Sequence, residues 1–127
     1  MLFRSFGSVI LWGLIIIFLS SIPGKDLPDF SFWKIFTFDK FAHTVVYAIF
    51  AFQVMKGCYR QFSSWYLRYY ATRIAVITGI IFGLLVEIYQ ELCLTDRYGD
   101  GMDLLADAIG TVIGVVIFRL IFYPYIR

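Results

Sequence analysis

Charge is scarce in this chain. Only 16% of its 127 residues are Asp, Glu, Lys or Arg, whereas 61% are hydrophobic and 20% aromatic. A soluble domain is nearer a quarter charged and half apolar. A soluble fold of this length cannot hide so much apolar surface, so the composition indicates an integral membrane protein. Cysteine is nearly absent too. Cys58 and Cys93 stand at unrelated positions, which gives neither a metal motif nor a disulfide framework. Both are expected to act as small apolar residues. With 11 basic and 9 acidic residues the net charge is +2, too small to suggest nucleic acid as a partner.

Long apolar runs are what the chain does have. The first, from Phe6 to Ile22, follows Arg4 and ends at Pro23-Gly24. Its length is close to the minimum for a spanning helix. A signal peptide is the rival reading, but Ser20-Ser21-Ile22-Pro23 is a poor cleavage site, so a retained helix is expected. Residues 24–38 mix Lys25, Asp26, Asp29 and Lys34 with Phe30, Phe32, Trp33, Phe36 and Phe38. That pattern suits the headgroup zone and a short helix lying on the membrane surface. A second helix is expected over 39–55, capped by Thr37 or Asp39, with Lys40 snorkelling outward. Residues 56–73 form a basic, aromatic loop without an acid. A third helix is expected over 72–94 and a fourth over 103–123. Gly79 with Gly83, and Gly110 with Gly114, have the four-residue spacing that permits close helix contact in membranes, although glycine is also simply common there. The expected fold is thus all-α, one polytopic domain of four transmembrane helices.

Four spans put the N-terminus, the 56–73 loop and the C-terminus on one side, with Arg4, Lys56, Arg60, Arg68, Arg73 and Arg127. The positive-inside rule then makes both termini cytoplasmic in the cell membrane. On the opposite side, three helix ends bring polar residues to one depth. His43 opens the second helix, Glu87, Gln90 and Glu91 close the third, and Asp103 and Asp107 open the fourth. Arg97 lies in the turn between the last two, and Asp39, His43 and Tyr47 share a helix face. Ionisable groups at membrane depth are costly and mark functional sites by default.

Four readings of this constellation compete. In the first, His43, Glu87, Asp103 and Asp107 are catalytic acids, bases or nucleophiles, and Arg97, Gln90 and Tyr47 hold a phosphate-bearing lipid or lipid-linked precursor. In the second, His43, Glu87, Asp103 and Asp107 are candidate ligands of a divalent cation. The third makes the set a structural lock, a role expected first for Asp39 and Glu91. The fourth is an ion or small-solute transporter, which the clustering at one face disfavours. Oligomeric state stays open.

Three segments carry a resemblance. Asp39-Lys40-Phe41-Ala42-His43-Thr44-Val45-Val46-Tyr47 resembles the D-K-x-x-H-x-x-x-Y signature of the VanZ-like family. Gly83 to Gln90 resembles its G-x-x-x-E-x-x-Q segment. Arg97, followed by Asp103 to Gly110 and Gly114, resembles its closing R…D-x-x-x-N-x-x-G-x-x-x-G segment. Asp107 departs from that pattern, since the family often has Asn there. An added carboxylate would repel Glu87 or Asp103 unless a proton or cation intervenes. The family's namesake is associated with resistance to the glycopeptide antibiotic teicoplanin. The resemblance therefore implies a cell-envelope role among lipid-linked wall precursors, either as an enzyme or as a non-enzymatic lipid binder that alters antibiotic susceptibility. A more distant likeness is to membrane enzymes that exchange phospholipid head groups.

Overall fold

The structure, a computed structural model, describes residues 2–22, 32–61, 63–94, 101–122 and 124, with side chains placed from 40 onward in the second of these segments. The elements are α1 (Leu2–Ser20), α2 (Phe32–Arg60), α3 (Trp65–Tyr69), α4 (Ala71–Cys93) and α5 (Gly101–Phe122). No strand occurs among the described residues. Four of the helices are long and apolar enough to cross a membrane, over Phe3–Ser20, Lys40–Arg60, Ala71–Cys93 and Gly101–Phe122. At ~1.5 Å rise per residue, α4 and α5 each reach ~30 Å or more, about one hydrocarbon core.

The bundle inverts the pattern of a soluble protein. Ile77, Ile81, Leu84 and Ile88 of α4, and Leu105, Ile109, Val112, Val116 and Leu120 of α5, are exposed. Small and polar residues face inward. On α4 these are Ala71, Ala75, Gly79, Gly83, Glu87 and Gln90, and on α5 Asp103, Asp107, Gly110, Thr111 and Gly114. Lipid tails are as apolar as leucine, so helices in lipid gain from close backbone approach and interhelical hydrogen bonds.

Gly110 and Gly114 provide that approach. A Cβ at Gly110 would strike the backbone carbonyl of Thr44, and one at Gly114 the carbonyl of Ala48. The backbones of α2 and α5 are therefore in contact. Gly79 and Gly83 let α4 close on α5 in turn, against the side chains of Thr111 and Asp107. Thr111 is buried there with its hydroxyl donating 2.8 Å to the Asp107 carbonyl. The spacing of both glycine pairs is thus used in packing. Outside this core, α1 leans on α2, with Trp12 Nε1 donating 3.0 Å to the Val46 carbonyl.

Three expectations need correction. Helix α2 covers 32–60, not 39–55, so neither Thr37 nor Asp39 caps it; both lie inside the helix. No glycine or proline interrupts 29–56, and Gly57 is accommodated because the Phe6 ring of α1 takes the space where a Cβ would be, at 2.6 Å. The described part of 24–38 is the opening of α2. The short extra helix is α3, between the second and third spans, where Trp65, Tyr66 and Tyr69 are exposed and Ser64 Oγ accepts from Leu67 N. Finally, Cys58 is buried as expected, but Cys93 is exposed at the end of α4 and is no packing residue. The remaining helix ends fall within a few residues of their expected positions.

Candidate functional site

Three helix segments meet at one end of the bundle. The site takes the first two turns of α5, the last two turns of α4, and the start of the spanning part of α2. On α2, Lys40, His43 and Tyr47 recur at three- and four-residue spacing and so share a face. Asp103 and Asp107 do the same on α5, and Glu87 follows Gly83 by one turn on α4.

Asp107 is the most enclosed member, with no exposed surface. It fits because Gly83 lacks a side chain. A Cβ there would lie 2.9 Å from Asp107 Oδ2 and 3.2 Å from its Cβ. Opposite Gly83, Asp107 Oδ1 is 2.7 Å from His43 Nδ1. A carboxylate can only accept, so Nδ1 carries the proton and donates. The neutral imidazole then has its lone pair on Nε2. That nitrogen points toward Asp103, whose Oδ2 is 3.9 Å away. The other Asp103 oxygen, Oδ1, accepts from Lys40 Nζ. Glu87 is buried alongside, and one donor atom each from His43, Glu87 and Asp103 lies within 4.8 Å of the others.

Tyr47 closes the inner side of the site. Its ring is parallel to the His43 ring (2° between planes, centroids 6.4 Å apart) and abuts Phe50 and Phe82. The residue is 1% exposed, and its hydroxyl has no hydrogen-bond partner among the described residues. Asp107 and Glu87 both act on it electrostatically.

The structure thus brings together His43, Tyr47, Glu87, Asp103 and Asp107. Gln90 is buried one turn beyond Glu87, but its amide donates 3.2 Å to the Ser20 carbonyl at the end of α1. With Ser21 Oγ and Tyr89 Oη 2.8 Å apart, it ties α1 to α4. Glu91 is exposed, as a solvated or structural residue would be. Arg97 and the side chain of Asp39 lie outside the described residues. Lys40 is the member that sequence reasoning misplaced. It was expected to snorkel outward, yet it turns inward to Asp103, where it compensates a buried carboxylate that would otherwise stand without a cation. Its spacing of three from His43 was the signal.

The VanZ/LLP1 family model matches residues 3–122. The chain belongs to the VanZ/LLP1 family. No curated protein and no solved structure matches it. The match takes in all four spans of this VanZ-family membrane protein and every described residue of the site. Asp107 is accommodated by the His43 N–H and the space left by Gly83.

Proposed function

We propose that this protein is a membrane-embedded enzyme of the cell envelope, acting at the outer leaflet on a phosphate-bearing lipid or lipid-linked wall precursor. One observation carries the reading: His43, oriented through Nδ1 by Asp107, has Nε2 directed into a cluster that also holds Glu87, Asp103 and Lys40. A histidine fixed by a carboxylate on one nitrogen is prepared to work with the other. The burial of the set at one end of a bundle of membrane-spanning helices suits a substrate whose head group enters from the interface.

In this mechanism His43 Nε2 takes the proton of an attacking hydroxyl or water. The new oxygen–phosphorus bond forms as the bond to the leaving oxygen breaks. The imidazolium, or a protonated Glu87, returns a proton to that oxygen. Alternatively His43 Nε2 attacks phosphorus while the bond to the leaving oxygen breaks and that oxygen takes a proton from protonated Glu87. Glu87 then takes the proton of the hydroxyl or water that displaces the phosphohistidine and frees Nε2. Lys40 is the described cation that can steady the phosphate, sharing Asp103 with it, and Arg97 is the expected second. The Tyr47 hydroxyl offers a donor to a substrate oxygen.

The experiment separates turnover from binding. Native lipids co-purifying with the unmutated protein and with Glu87→Gln are identified by mass spectrometry, and each protein is then incubated with them. An enzyme retains lipid in Glu87→Gln but loses conversion. If the unmutated protein converts none of the lipid it carries, the non-enzymatic binder, which changes access of glycopeptide antibiotics to their target, replaces this reading.

A further inference from the structure

The ways in which His43 and Asp103 are held show a consistent pattern. Each has one donor atom fixed by a neighbour and the other directed inward. His43 Nδ1 is fixed by Asp107 Oδ1 at 2.7 Å, and Nε2 faces inward. Asp103 Oδ1 is fixed by Lys40, and Oδ2 faces inward. The two inward atoms are 3.9 Å apart. That is too long for a hydrogen bond. It is close to the separation of two donors that share one ion, since atoms each about 2.1 Å from a metal sit roughly 3–4 Å from one another. Glu87, from another helix, completes the group: one donor atom each of His43, Glu87 and Asp103 lies within 4.8 Å of the others.

A second observation points to an occupant. Tyr47 is 1% exposed, stacks on His43 and is acted on by Asp107 and Glu87, yet its hydroxyl has no hydrogen-bond partner among the described residues. A buried hydroxyl without a partner costs roughly 1–3 kcal/mol, so such groups signal a water, ion or ligand.

We propose that His43 Nε2, Glu87 and Asp103 Oδ2 bind one divalent first-row metal ion of the Mn2+ or Zn2+ type. One imidazole and two carboxylates from three helices are a mixed nitrogen and oxygen set, which such ions accept and Ca2+ and Mg2+ accept less readily. Asp107 is then the carboxylate that sets the tautomer of a ligating histidine, a partner found on most metal-bound histidines. Lys40 fixes the orientation of Asp103. Three protein ligands leave coordination positions for a phosphate oxygen or a water. The inference rests on that pocket being functional but requires no substrate, and it replaces the direct roles of His43 and Glu87: an ion held by Nε2 takes its lone pair, so a bound ion would activate the attacking water in place of the imidazole base.

The chain holds a single histidine, which makes the test direct. Chelator-stripped full-length protein in detergent, with no added lipid, is titrated with Mn2+ and followed by electron paramagnetic resonance. One Mn2+ per chain is expected, with nitrogen modulation in the pulsed spectrum from the only imidazole, and displacement by Zn2+. Glu87→Gln should weaken binding at least tenfold, and Glu91→Gln should leave it unchanged. Absence of saturable Mn2+ binding, or bound Mn2+ without nitrogen modulation, overturns the proposal without any variant having to fold. Because lipid turnover is measured separately, a metal-free site that still converts lipid would reject the ion and leave the enzyme.

Discussion

At the scale of single residues, the pair of Asp107 and His43 decides most. Asp and Asn differ in charge but not in shape. Asn keeps a carbonyl oxygen able to accept from His43 Nδ1–H, so Asp107→Asn should fold and retain part of its activity. Asp107→Ala leaves His43 without that acceptor and should lower stability by about 1–3 kcal/mol as well as removing activity. Thermal unfolding and lipid turnover, measured on both variants, check this; equal loss in the two would mean that charge, not orientation, is what Asp107 supplies. The Lys40–Asp103 pair makes a separate prediction. Lys40→Met leaves a nearly buried carboxylate without its ammonium and should cost about 3 kcal/mol. Adding Asp103→Asn should recover much of that loss. A double variant less stable than Lys40→Met would show that the two residues do not act as a pair.

At the scale of helices, polar and small residues set the packing, and apolar ones face lipid. Gly114→Leu has no room against the Ala48 backbone and should prevent α2 and α5 from docking, seen as aggregation or loss of a defined melting transition. Leu120→Ala is on the outward face of the same helix, 73% exposed, and should change stability by no more than about 0.5 kcal/mol. Gln90→Ala removes the donor to the Ser20 carbonyl and should cost about 1 kcal/mol, with faster hydrogen exchange at the end of α1. This is also the scale at which sequence is most and least informative. Spans were legible because apolar length is a one-dimensional property. The ends of α2 were not, because aromatic and charged residues at an interface look like a loop in sequence while remaining compatible with helix. Packing order was hidden for another reason: glycine spacing shows that a helix has a close partner but not which one.

Taken as a whole molecule, the chain gathers His43, Glu87, Asp103 and Asp107 at one end of the bundle. His43, Glu87, Asp103 and Asp107 were legible as a group from topology alone, since alternating spans carry their helix ends to one side. Lys40 and the role of Gln90 were not, because direction of a side chain depends on neighbours that only the packed bundle supplies. The same topology predicts cytoplasmic termini, with the basic residues Arg60, Arg68 and Arg73 on the inner face. A C-terminal fusion active only in the cytoplasm agrees with it. One active only outside reverses the bundle and moves the site to the inner leaflet.

The central claim is that this polar end performs chemistry on a lipid phosphate. Its most direct test is a time course of the native lipid extract in proteoliposomes, read by mass spectrometry, with His43→Gln protein as the reference. The account predicts that one phosphate-bearing species falls and a head-group-modified product rises in step with the unmutated protein only. Identical lipid profiles for the two proteins, both folded and inserted, would contradict it.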